Sequence, residues 1–258
     1  MSAADDAPDE PSGPSGGSPP PGGPSSPGAS PAPGASPAPG GPPSPVARLK
    51  VGVLASGAGT NLQAILDRVH GRDADVVAVG SDKPQAEALA RAASRGVATR
   101  AFPRGDFADR ESRDKAMAGW LTEAGARLVV LAGYMQLVTP AFLRAFPLGV
   151  INVHPALLPA FPGLAAIEQA LAYGVKVFGV TVHFVDEGVD TGPIILQRAV
   201  ELPHATEPDA VRSALRPLEH ELLTEAIRLI ALGAVSVDPG ARRVSISSAP
   251  HGGDGSAG

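Results

Sequence analysis

The chain has 258 residues, no cysteine and a formal net charge of -5, which excludes a disulfide framework, a thiolate metal site and a cysteine nucleophile. Asp5, Asp6, Asp9 and Glu10 carry -4 of that -5, so the remainder is almost neutral and lacks the basic footprint of a general nucleic-acid binder. No apolar run reaches the roughly 18 residues that span a membrane.

Of the 28 prolines, 15 fall in residues 1–45, and GASPAP occurs at 28–33 and again at 34–39. Between Met1 and Val46 there is no large apolar side chain, so burial cannot offset the entropy of ordering this segment. Residues 1–47 are expected to form a disordered, partly polyproline-like tail. The first residues show neither a basic region nor an apolar core, so no secretory signal is expected and a cytoplasmic setting fits.

A β-branched run from Leu49 to Leu54 predicts the first strand, and Leu62, Ile65 and Leu66 follow at helical spacing. Between them lie Gly57 and Gly59, with Thr60 and Asn61 leading into the helix. Next come ADVVAVGS as a strand, PQAEALARAASRG as a helix and VATRAF as a third strand. Residues 106–125 read as a helix and ARLVVLAGY as a fourth, fully buried strand. A short helix near 139–146 precedes LGVINVH, the fifth strand. Beyond Pro162, EQALAYG closes a helix, and VFGVTVHFV and GPIILQRAVEL alternate as two strands of an antiparallel edge. Residues 207–232 form a last helix, GAVSV a short strand, and 238–258 a second frayed tail. The expectation is one domain over 48–237: an α/β, open, doubly wound and mostly parallel sheet with an antiparallel edge in its C-terminal part. In such sheets ligands sit outside the carboxyl ends of the strands.

Three strand-end loops carry candidate chemistry. In INVHPALLPAFPG, Asn152 and His154 stand two positions apart, on one face of a strand and about 7 Å from each other. Pro155 then ends the ladder. SGAGTN places a Gly-rich turn before a helix N-terminus, a seat for phosphate or an ordinary βα turn. It is neither a P-loop nor a GxGxxG motif, since Leu62 takes the last position. DEGVDTGP crowds Asp186, Glu187 and Asp190 into one loop, with Gly188 and Gly192 letting it double back. Such acids are often merely solvated, and the spacing is not that of a calcium loop. A carboxylate brought near His154 would orient or protonate it, and Asn152 could donate to a developing oxyanion. Without a nearby Ser or Cys nucleophile, that set suggests acyl transfer straight to a substrate amine. His183, on an apolar alternating strand, is expected to be a satisfied structural histidine, and His70, His204 and His251 surface or tail residues. No zinc site is expected.

Together VLASGAGTNLQAIL, INVHPALLPAFPGL and GVTVHFVDEGVDTGPIILQ resemble, in order, the folate-dependent phosphoribosylglycinamide formyltransferases of purine synthesis. The resemblance runs from Lys50 to Gly233. It implies a Rossmann-like formyltransferase fold and formyl transfer from 10-formyltetrahydrofolate, as cosubstrate, to the amine of glycinamide ribonucleotide, with no metal. It implies Asn152, His154 and Asp190 as the catalytic trio. Gly59, Thr60 and Asn61 match the segment holding the ribonucleotide phosphate, and Glu219 a carboxylate at the ribose. On the folate side it implies Arg110, the run Met135, Gln136, Leu137 and Val138, Asn152, and the loop Asp186, Glu187, Gly188, Val189 and Asp190. Gln136 stands where the family often has a basic residue, and Ala165 where it has a histidine. The Pro-rich extension is not a family feature. The implied partners are small molecules, with no nucleic acid and no membrane, in a monomer or homodimer. Formyltetrahydrofolate deformylase is the nearest rival, although it usually carries an N-terminal regulatory domain. A methionyl-tRNA formyltransferase would need a further RNA-binding domain, and a non-catalytic folate- or nucleotide-binding homologue is the remaining alternative.

Overall fold

Apolar side chains alternate across the first and fourth strands, and each set meets its own layer of helices. In a computed structural model, residues 47–238 and 242–247 are described. Strands β1 (Leu49–Leu54), β2 (Ala74–Ser81), β3 (Ala98–Ala101), β4 (Leu128–Leu131), β5 (Val150–His154), β6 (Val177–Phe184) and β7 (Ile194–Glu201) form one sheet. The helices are α1 (Thr60–Arg68), α2 (Glu87–Ala93), α3 (Arg110–Glu123), α4 (Pro140–Ala145), α5 (Ala166–Tyr173) and α6 (Pro208–Ala231). The long predicted helix at 106–125 starts later than expected, because Arg104–Asp106 form a 3-10 turn and Asp109 caps α3 by accepting from the Ser112 N–H.

Strand order is β3-β2-β1-β4-β5-β6-β7. The pairs from β3 through β5 are parallel, whereas β6 runs antiparallel to both β5 and β7. On one face Val51, Val53 and Val130 pack with Leu62 and Ile65 of α1 and Leu215, Leu222 and Ile227 of α6. On the other, Leu54, Val129 and Leu131 meet Met117 and Leu121 of α3 and Phe142 of α4. This double cover is why these strands read as continuous apolar runs. The chain order reverses between β1 and β4, and a crevice therefore opens beyond their carboxyl ends.

One difference from the sequence reading lies past α6. β8 (Val235–Asp238) falls on the expected short strand, but it pairs antiparallel with β9 (Arg243–Ile246), which lies inside the segment expected to be frayed. Val235, Val237 and Val244 lean on the main core cluster, which gives the hairpin a footing. A four-residue strand such as β9, set beside a Pro- and Gly-rich tail, leaves almost no periodic signal. The expected N-terminal tail, His251 and the remainder of the C-terminal tail lie outside the described residues.

Candidate active site

Asn152 and His154 close β5, and both point into a cavity of about 790 Å³ at the carboxyl edge of the sheet. The loop between β6 and β7 brings Asp190 to them, with Oδ2 at 3.3 Å from His154 Nδ1. Asn152 Nδ2 donates to Asp190 Oδ1 at 3.3 Å. The Gly163 N–H donates to Oδ2 at 2.7 Å. Asp190 holds φ of 52°, a left-handed conformation a non-glycine residue keeps only when its surroundings impose it. Burial works against its charge, but the His183 side chain, the Gly163 N–H and the charges of His154 and His183 outweigh that and hold the carboxyl below its usual range.

The hydrogen-bond partners assign the imidazole protons. His154 Nε2 lies 2.8 Å from the Phe161 carbonyl, which only accepts, so Nε2 carries hydrogen. The Nδ1 that faces Asp190 then binds it fully when the ring is protonated. His183 follows the same rule: Nδ1 donates to the Phe184 carbonyl at 2.8 Å. Its Nε2 sits 3.3 Å from Asn152 Nδ2 and 3.5 Å from Asp190 Oδ1. Neutral, it accepts from Asn152; protonated, it donates to Asp190.

His183 is satisfied by these bonds, as expected of a structural histidine, and it also joins the cluster. It is buried, as expected, but it stands directly across the β5–β6 ladder from Asn152. Cross-strand partners share a face, and only the register reveals this. Alternation along one strand does not.

The walls come from two loops. Met135, Gln136, Leu137 and Val138 form one side, and Asp186, Glu187, Gly188 and Val189 another, with Arg110 at the rim. Met135 and Leu137, each 56% exposed, and Val189, 43% exposed, leave apolar surface open to a ligand. The first wall is pinned at both ends. The Met135 N–H donates to Ser56 Oγ at 2.9 Å, and the Thr139 N–H to Asp114 Oδ2 at 2.7 Å. Asp114 is itself held by the fully buried Arg113 guanidinium. Gln136 lines this wall, and Ala165 lines the cavity without an imidazole. Arg212 of α6 also lines it, bonded to Glu168 at 2.9 Å. Arg212 was not singled out from sequence, since an arginine on a helix face carries no distinguishing pattern.

The candidate phosphate seat lies at the end of β1. Gly59 takes φ of 71° before α1, and a Cβ there would stand 2.8 Å from Ala88 backbone. No side chain caps this helix end, so its N–H groups and dipole face outward. Thr60 begins the helix, and Asn61 Nδ2 donates to Glu219 Oε2 at 3.1 Å. Asn61 Oδ1 is buried without a partner. Glu219 lies two turns beyond Arg212 on α6, and burial pushes its carboxyl up, partly countered by Asn61 and by the charges of Arg216 and Arg212. Among the described residues no group of three His, Asp or Glu side chains is placed to hold a metal ion, and no helix is long and apolar enough to cross a membrane.

A crevice at the switch point of a mixed α/β sheet, with a His–Asp pair at its base, defines an enzyme acting on small molecules. Comparison with known proteins narrows that class. The sequence profile described as formyl transferase matches residues 49–227. Phosphoribosylglycinamide formyltransferase of Bacillus subtilis is 39% identical over 181 residues, covering 69% of this chain and 93% of that protein. The trifunctional purine biosynthetic protein adenosine-3 of Drosophila melanogaster is 40% identical over 196 residues, but the chain spans only 14% of its length. The crystal structure of glycinamide ribonucleotide transformylase 1 from Symbiobacterium toebii superposes with a TM-score of 0.75 at 47% identity, over 78% of this chain and 95% of that one. The chain belongs to the formyl transferase family, within the group of phosphoribosylglycinamide formyltransferases.

Proposed function

We propose that the chain transfers the formyl group of 10-formyltetrahydrofolate to the amine of glycinamide ribonucleotide by direct acyl transfer. The observation that carries this reading is the Asp190–His154–Asn152 cluster in a cavity whose lining includes no Ser, Thr, Cys or Lys. Tyr134, which does line it, is held protonated because burial pushes its hydroxyl above the usual range. Without a protein nucleophile, the amine itself attacks the formyl carbon. The tetrahedral oxyanion takes the N–H of His154 Nε2 that Phe161 now accepts, with Asn152 the second donor. The bond from the formyl carbon to folate nitrogen then breaks, and the proton lost by the amine passes, with Asp190 as carrier, to that nitrogen.

The two ends of the site suit the two substrates. The helix end at Gly59–Asn61 offers N–H groups to a phosphate, and the Glu219 carboxylate can accept from ribose hydroxyls. The apolar walls at 135–138 and 186–189 suit a flat pterin and its aromatic extension. The test follows absorbance of 10-formyltetrahydrofolate with and without glycinamide ribonucleotide. Folate freed only in the presence of the amine is the expected result. Release without it would make the protein a deformylase, and binding without release a non-catalytic homologue.

A further inference from the structure

Arg242 is not part of the catalytic sheet, yet it reaches the loop that presents Asp190. Its Nη2 donates to Asp186 Oδ2 at 2.7 Å and also bonds the Thr191 carbonyl. The two acceptors flank Asp190 on either side. Asp186 is the hub of this loop, since its Oδ1 accepts from the Gly188 N–H at 3.1 Å and from Thr191 Oγ1 at 2.6 Å. With the guanidinium on Oδ2, three donors from the protein occupy this carboxylate, so it serves the loop's shape more than a ligand. Arg242 itself keeps φ of 52° just before β9, a sparsely populated conformation for a side-chain-bearing residue. The strand it precedes packs beside β7, and Val244 anchors it to the core.

We infer that Arg242 is a positioning residue for formyl transfer: the C-terminal hairpin, through this guanidinium, fixes the loop between β6 and β7 in the form that sets Asp190 against His154. Holding several loop residues in one conformation costs roughly 1 kcal/mol or more for each. The bonds inside the loop act locally. Besides the bonds from Gly163, Asn152 and His154 to Asp190 itself, Arg242 supplies a tie from outside that joins both limbs to a separate two-stranded sheet. An exposed ion pair alone contributes little, but this one also takes a backbone carbonyl and crosses the loop. This inference rests on the proposed function for its kinetic consequence, and on geometry alone for the restraint.

The experiment compares the full-length chain with Arg242→Ala and Arg242→Lys. It measures amide hydrogen exchange over 186–191, thermal unfolding, and steady-state rates with each substrate varied in turn. Arg242→Ala is expected to speed exchange at these amides and to raise the KM for the formyl donor by about fivefold, with a fall in kcat of similar size. The KM for the ribonucleotide, bound at the far end, stays within about twofold, Tm barely moves, and Arg242→Lys recovers much of the loss. Unchanged exchange together with unchanged donor KM overturns the inference. An equal rise in both KM values with a lowered Tm also overturns it, because Arg242 would then be a general stabiliser. Should Arg242→Ala not fold, Arg242→Gln, which keeps most of the side chain's length and loses its charge, gives the same comparison. A parent chain that frees no folate defeats the proposed function instead, and the exchange rates then judge the restraint by themselves.

Discussion

At the scale of single residues, Asp190 and Glu219 are opposites. Asp190 is held ionised against burial by its partners, so Asp190→Asn removes a charge whose desolvation was already costly while an amide oxygen remains to accept from Gly163. Turnover is expected to fall about a hundredfold or more, with stability changed by about 1 kcal/mol or less; kinetics and thermal unfolding of the same variant check both. Equal loss of fold and rate would make it a structural carboxylate. Its folded pKa is depressed, so its contribution to stability is complete above the unfolded value near 3.8 and is lost only as pH falls below that. Glu219 is raised from 4.5, so its charge is a burden in the folded state above that range and is relieved on acidification. Going down from neutral pH, Glu219 takes a proton before Asp190 does. Ribonucleotide affinity is therefore expected to decline first, and Glu219→Gln should abolish that acid limb while weakening binding about tenfold at pH 7. Binding titrations across pH read this directly. The Asn152–His154 pair was legible because two polar side chains at i and i+2 in an apolar run have no bland explanation. His183 was not, because its meaning lies in its neighbour on another strand.

At the scale of elements, each wall of the cavity depends on one residue that tolerates no replacement. A Cβ on Gly192 would fall 1.7 Å from the Phe184 carbonyl oxygen, where the loop turns into β7. Gly192→Ala therefore forces the backbone apart, at a cost of about 2–4 kcal/mol, and is expected to lower both Tm and donor affinity. The opposite wall hangs on Asp114, which is wholly buried beside Arg113. Asp114→Ala strands that guanidinium and frees the Thr139 N–H. A loss of roughly 3–5 kcal/mol follows from an uncompensated buried charge, to be read from denaturant unfolding. The glycines of DEGVDTGP announced a tight loop in the sequence. The Arg113–Asp114 pair stayed hidden, because charged residues inside a helix with weak amphipathic contrast read as solvated.

At the scale of the molecule, the alternation of strands and helices and the antiparallel edge were legible because double cover makes apolar runs long. Strand β9, and with it the hairpin it forms with β8, escaped because it borrows its stability from a core it barely enters. No residue of the site precedes Ser56, and the family profile matches 49–227. A chain beginning at Ala47 is therefore expected to keep its rate of formyl transfer within about twofold, as parallel assays of the two lengths will show. The β5–β6 ladder carries a last consequence. Asn152 faces His183 because two strands lie side by side in one register, so the gap between amide and imidazole is inherited from the spacing of the sheet, about 4.7–4.9 Å between strands. Evolution can repaint the exposed positions of β7, such as Arg198 and Glu201, without disturbing the chemistry. A single inserted or deleted residue in β6 ahead of His183 would turn the ring to the opposite face. The outer strand β7 is free in composition where it meets solvent, and β6 beside it is rigid in count.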